Sequence, residues 1–186
     1  SRPVISRKYF YRCQSIKNWP QNVDLDLLIK GCQLFVGTHN FTNLCRLEDG
    51  KDPVRKVTNC EPWLDDNQKP IGISVTAESF LWNQVRRMAS AITGIVSGDY
   101  DLDYVYEALK NPHIPVDMGM GTSRGLILWE INHVSLGGMG IGSTPDTGIF
   151  SIPPQSIRGH KTWMSLSDLE MSTMINSEWI KEIGLS

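Results

Sequence analysis

Apolar and polar residues alternate along this chain with two different periods, and the places where the period changes outline its elements. In Arg7-Lys8-Tyr9-Phe10-Tyr11-Arg12-Cys13, Tyr9, Tyr11 and Cys13 share one face of an extended segment while Lys8, Phe10 and Arg12 share the other, which predicts a strand over 7–13. Pro20 and Asn22 interrupt the pattern. Asp24 then stands where an N-cap belongs, and Leu25, Leu28, Cys32 and Phe35 recur at helical spacing to about Val36, where Gly37 stops the helix. A strand broken by Pro62 is expected over about 54–64, and Ile71, Ile73, Val75 and Ala77 alternate with small residues in the next one. Asp65, Asp66 and Asn67 turn the chain between the two. The strongest helical stripe is Leu81, Val85, Met88, Ile92 and Ile95, which predicts a helix over about 79–97 with Trp82, Arg86, Ala89 and Thr93 on a second face. A shorter helix over 102–110, a Pro- and Gly-rich loop over 112–125 and a strand from Leu126 to about Val134 follow. Residues 137–159 read as a flexible segment, and 167–183 as a final amphipathic helix. Hairpin-like strand pairs beside long helices, without regular βαβ alternation, imply an α+β fold with a mostly antiparallel, mixed sheet flanked by helices.

Composition adds bounds. With 186 residues, 40% hydrophobic and 20% charged, the chain can bury a core of its own, and wholesale disorder or a coiled coil describes it poorly. No apolar run approaches the length of a membrane span, so no membrane partner is expected. The formal net charge of −2 means that a nucleic-acid partner would have to be held by local clusters such as Lys8, Arg12, Arg55, Lys56 and Arg87. Cys13, Cys32, Cys45 and Cys60 form no CxxC pair and read as buried free thiols, which fits a reducing, cytoplasmic home, or a nuclear one in a eukaryote. His39, His113, His133 and His160 lack metal-ligand spacing, so no metal is expected. The chain opens at Ser1 with a strand-like segment almost at once, and is expected to be the later part of a longer protein.

Few motifs carry chemistry. Gly-Gly-Met-Gly-Ile-Gly at 137–142 has no following Lys-Ser/Thr and reads as linker, and Asn40-Phe41-Thr42 is a sequon without secretory context. The carboxylates Asp65/Asp66 and Asp101/Asp103 fall where turn and capping residues belong. Arg86 stands out because it shares its helix face with Trp82 and small residues; such an arginine wants an anion, and either an outside ligand or a local carboxylate would serve. Tyr9 and Tyr11 could stack on a base or belong to the core.

Four ordered blocks carry a resemblance: Arg7-Lys8-Tyr9-Phe10-Tyr11, Gly37-Thr38-His39-Asn40-Phe41-Thr42-Asn43-Leu44-Cys45, Ser79-Phe80-Leu81-Trp82-Asn83-Gln84-Val85-Arg86-Arg87-Met88, and Gly125-Leu126-Ile127-Leu128. In order and spacing they resemble the later part of the tRNA pseudouridine synthase A family, in its archaeal and eukaryotic branch, over about residues 5–134. Two departures concern pocket shape. Ser123-Arg124 precede Gly125 where the family commonly has a proline-containing segment, and Ala89-Ser90 stand where a Val-Gly pair is common.

The resemblance implies a cofactor-free isomerase that detaches uracil from ribose in tRNA, in the anticodon arm, turns it and rejoins it through carbon. That reaction needs an aspartate beside a flipped-out uridine. The family carries it in Gly-Arg-Thr-Asp upstream of the Arg-x-Tyr-x-Tyr strand, and that motif is absent from these 186 residues. By position, Tyr9 matches the tyrosine that packs on the target base, Arg86 the arginine that pairs with the aspartate, and Leu126 an apolar residue of the same pocket; Lys8 and Arg87 are expected to touch the RNA. The implied organisation is a C-terminal catalytic lobe over 1–136, a Gly/Pro-rich linker over 137–160 and a helical tail over 161–186. The implied partners are tRNA, an N-terminal half carrying the aspartate, and a second copy of the chain. The rival reading is a non-catalytic RNA-binding or scaffold module that kept this lobe, and a third is an unrelated α+β interaction domain.

Overall fold

A computed structural model describes residues 3–134, 137–140 and 144–184. Its strands are β1 (Val4–Tyr11), β2 (Gly37–Asn40), β3 (Val54–Leu64), β4 (Pro70–Ala77), β5 (Leu126–His133) and β6 (Gly137–Gly140). Its helices are α1 (Leu25–Gln33), α2 (Gln84–Ser97), α3 (Leu102–Lys110) and α4 (Ile157–Gly184). The strands form one sheet in the order β2-β3-β4-β1-β5-β6, and each of its pairings is antiparallel, so the α+β expectation holds.

The period-two pattern of β1 divides two cores. Tyr11 and Cys13 face a large core built with Ile73, Val75 and Ala77 of β4, Leu28 and Cys32 of α1 and Val85, Met88 and Ile92 of α2. Phe10 faces a smaller one with Trp63, Ile71, Ile127 and Trp129, covered by Met171 and Met174 of α4. Each fully buried side chain of this size contributes about 1.5–3 kcal/mol, so both faces of the sheet are held by ordinary hydrophobic burial. With both faces covered, β4 is buried along almost its whole length. Gly72 in its middle lies so close to the backbone of Tyr11 and Cys13 that a Cβ would overlap them.

Local chemistry sets the boundaries. Asp24 and Asp101 cap α1 and α3, accepting from the backbone N–H of Leu27 at 3.2 Å and Tyr104 at 2.8 Å. Asp65 accepts from Asn67 and Lys69 in the β3–β4 turn.

Several segments differ from the sequence reading: the strand expected over 7–13 runs Val4–Tyr11, with Cys13–Ser15 in a 3-10 turn, and the short strand β2 was not expected. The helix expected from 79 starts at Gln84, because Asn83 adopts a left-handed backbone conformation (φ 63°) and the Gln84 side chain accepts the Leu81 N–H at 2.9 Å. Within the stretch read as flexible, Gly137–Gly140 is a strand paired to β5, although residues 141–142 of the Gly-rich run lie outside the described residues. The final helix begins at Ile157, ten residues before the amphipathic signal at 167; its first turns are mostly exposed and are held by the buried Trp163 and by His160, whose ring bonds the Gln14 carbonyl at 2.9 Å. Trp163, Met171 and Met174 seat it, while Leu166, Leu169 and Trp179 stay exposed. No helix among the described residues is long and apolar enough to cross a membrane.

Under α4 lies a buried charge. Arg12 is fully buried and cannot reach a phosphate as its exposed sequence context implied: its guanidinium lies 3.5 Å from Glu170 and between the rings of Phe150 and Trp163, at 4.0 and 4.8 Å. It donates to Gln14 at 2.9 Å and to the Ser151 carbonyl at 2.9 Å, while Glu170 accepts from the Ser151 N–H and hydroxyl. Burial lowers the Arg12 pKa to about 10 against the opposing pull of Glu170.

Candidate active site

The opposite face of the sheet opens into a cleft of about 420 Å³ where β1, β5 and the start of α2 meet. Tyr9 and Leu126 form its apolar side, Phe80, Trp82 and Asn83 its rim, and Arg86 its charged wall. Tyr9 is placed by β1 and pressed edge-on against Phe80, with ring centroids 5.2 Å apart. Leu126 enters because it pairs with Tyr11 in the β1–β5 register and therefore shares the face of Tyr9.

Arg86 is fixed by neutral acceptors. Its Nε donates to the Gly121 carbonyl at 2.8 Å and one terminal nitrogen donates to Asn83 Oδ1 at 3.2 Å, while the Gly121 N–H donates back to the Arg86 carbonyl at 3.0 Å. Among the described residues no carboxylate pairs with it. Of the two anion sources open from sequence, the local carboxylate is therefore not the one this structure uses. The cleft holds no acidic side chain of its own. Chemically it offers a flat apolar contact and a cation with free donors, without a carboxylate among its lining residues.

Beneath the cleft Tyr11 donates to the Thr122 carbonyl at 2.8 Å. Burial pushes its phenol up to about 12, against smaller lowering influences that include the charge of Arg86. It is a packing residue with a satisfied hydroxyl. No group of three or more His, Cys, Asp or Glu side chains among the described residues is arranged to hold a metal.

The structure brings Tyr9, Arg86 and Leu126 together and leaves Lys8 and Arg87 outside. Lys8 has the other parity on β1, so its ammonium lies 5.2 Å from the Phe10 ring on the far face of the sheet. Arg87 is one residue round the helix from Arg86 and pairs instead with Asp117 at 3.3 Å. It lies with Arg55 within electrostatic reach of Cys45, whose thiol burial raises and both arginines lower. Asn83, Phe80 and Trp82 were not among the expected site residues. The irregular turn that puts them on the rim depends on the backbone of Asn83, and no Gly or Pro in the sequence announces it. The two departures have local roles: Ser90 donates to the Met118 carbonyl at 2.7 Å, and Arg124 pairs with Asp168 of α4 at 3.3 Å.

The sequence model of the tRNA pseudouridine synthase family matches residues 32–133, which include Arg86 and Leu126 and leave β1 with Tyr9 outside. The tRNA pseudouridine synthase A of Methanocorpusculum labreanum is 34% identical over 113 residues, 61% of this chain and 39% of that protein. The tRNA pseudouridine synthase A of Thermococcus kodakarensis is 32% identical over 120 residues, 63% of this chain and 43% of that one. The tRNA pseudouridine synthase A 1 of Bacillus cereus is 29% identical over 131 residues, 70% of this chain and 50% of its own length. The chain thus spans about half the length, or less, of the curated relatives it matches. With the family match covering more than half of its residues and falling on the helix and strand that build the cleft, this chain belongs to the tRNA pseudouridine synthase family.

Proposed function

We propose that this chain supplies one wall of a tRNA pseudouridine synthase active site. Arg86 holds and ionises an aspartate that another segment of the full-length protein brings to the cleft, and Tyr9 and Leu126 pack on the flipped-out uracil. The observation that carries this is Arg86: a cation oriented by Gly121 and Asn83, on an apolar cleft, with no carboxylate of its own chain among the described residues. A guanidinium beside a carboxylate favours its charged form, and only the charged form can attack carbon or take a proton. Tyr9 then has a positioning task, holding the base plane against Phe80 while the glycosidic bond is broken and remade.

Carried over from the family, the reaction is conversion of uridine to pseudouridine within tRNA, and the substrate is drawn to the protein mainly through phosphate contacts. The test compares the full-length protein with the 186-residue chain on unmodified tRNA transcripts, reading pseudouridine by chemical mapping. The full-length protein is expected to form it and the chain alone to form none. Turnover by the chain alone would overturn the assignment of the nucleophile to another segment; tRNA binding without product in the full-length protein would favour the scaffold reading.

A further inference from the structure

Trp82 stands on the rim of the cleft with 50% of its surface exposed, which is unusual for the largest apolar side chain. It is nevertheless held in place. The Arg46 N–H donates to the Trp82 carbonyl at 2.8 Å in an isolated β-bridge, and the Arg46 guanidinium lies 4.2 Å from the ring centroid. This is cation–π geometry at the surface. Arg46 is itself exposed and makes no ion pair among the described residues, and Arg86 along the same cleft makes none either. The rim therefore presents a half-exposed indole with an exposed guanidinium laid over one face of its ring, next to a pocket lined by Tyr9 and Leu126.

We propose that Trp82 is a stacking platform for a nucleobase neighbouring the one that enters the cleft, and that Arg46 meets the adjoining phosphate. The proposal takes the identity of the polymer, RNA, from the pseudouridine synthase reading. Its chemistry is general. Extruding one nucleotide leaves the adjacent base without a stacking partner, and an indole at the mouth of the receiving pocket replaces that partner for any base, since every base has a π-face. A single strand alternates base and phosphate at close range, and indole beside guanidinium is the complementary alternation. The rim is thereby matched in charge as well as in shape of contact.

The experiment uses the full-length protein and an unmodified tRNA transcript, with wild type, Trp82→Phe and Trp82→Ala. In free protein, acrylamide should quench a component of the tryptophan emission that Trp82→Phe lacks. Adding tRNA should quench the same component. Trp82→Phe keeps an aromatic face and should bind tRNA about as tightly as wild type, whereas Trp82→Ala should bind roughly 5- to 150-fold more weakly, the range that loss of one base–aromatic stack gives. Trp82→Ala binding as tightly as wild type would overturn the proposal. So would an indole already shielded from acrylamide in free protein, because another segment of the protein would then cover it. The two readings fail separately: tRNA-dependent quenching in a protein that makes no pseudouridine removes the enzymatic reading and keeps the platform, while normal product formation with unchanged Trp82→Ala affinity removes the platform alone.

Discussion

Arg12 and Arg86 are both drawn partly or wholly out of water, yet the chain treats them in opposite ways. Arg12, under α4, meets Glu170, two aromatic rings and three further acceptors from its own chain, and no part of it reaches the surface. Arg86, on the other face of the sheet, meets one carbonyl and one amide and opens on a cleft. A charge completed internally ties elements together. A charge that is oriented but left without an opposite charge is set for something that arrives. The same residue type thus serves the fold on one face and the proposed reaction on the other, and the partner atoms decide which.

The sharpest way to break this contrast is to disrupt each arginine's pairing in turn, through Glu170 for Arg12 and at Arg86 itself. Glu170→Gln leaves the buried Arg12 uncompensated and should cost about 3–5 kcal/mol in denaturant unfolding of this chain. The double variant Arg12→Met/Glu170→Gln should recover much of that loss, because two neutral groups of similar volume need no pairing. A single-variant loss below about 1 kcal/mol would show that the buried pair does not hold α4 down.

Arg86 should show the reverse profile. In the full-length protein, Arg86→Ala and Arg86→Lys should lower the single-turnover rate by on the order of 10²- to 10³-fold, the scale on which one preorganised donor to a reacting group is lost. The lysine keeps the charge but lacks the planar fork. tRNA affinity should change little, since it rests on many phosphate contacts. Melting of the chain should shift by less than about 1 kcal/mol equivalent, as for a change outside the core. Normal single-turnover chemistry in both variants would refute the role given to Arg86, and a stability loss as large as that of Glu170→Gln would erase the contrast.

The smallest effect concerns the core residue beneath the cleft. Tyr11 should lose its proton near pH 12, later than a tyrosine in water, and Tyr11→Phe should remove that late step from the phenolate absorbance titration. Because the unfolded chain releases this proton first, Tyr11 makes stability fall as pH rises from 10 to 12. Burial of Arg12 beside Glu170 acts in the opposite direction, since it lowers the guanidinium pKa in the folded chain. Absorbance therefore separates what a melting curve would blend. A late step that survives Tyr11→Phe would mean that Tyr11 is not the buried phenol responsible.

How much of this was legible beforehand follows a physical line. Local signals were readable: the alternation of β1, the caps at Asp24 and Asp101 and the apolar stripe of α2 depend on residues close in sequence. The gathering of Tyr9, Arg86 and Leu126 followed from the family resemblance and the parity of β1. Contacts between distant residues were not readable. Arg12 looks like a surface cation in its own strand, and only Glu170, far along the chain, makes it a core residue. β2 and β6 are four residues each and rich in Gly or polar side chains, so their pairing with β3 and β5 leaves no hydrophobic period behind. Asn83 falls within an apparently continuous helical stripe, and its left-handed φ belongs to how the turn packs on the sheet.

That turn bears on how any partner would be received. Asparagine is among the few residues that adopt such a φ readily, and here its own side chain holds the guanidinium three residues on. Ordering a free arginine side chain costs up to about 1.5–2 kcal/mol in rotamer entropy. At Arg86 much of that ordering is complete when the chain folds, so an incoming carboxylate meets an already immobilised fork. On the proposed reading the encounter then costs little in side-chain freedom, because the backbone orients the guanidinium before a planar, two-oxygen anion arrives.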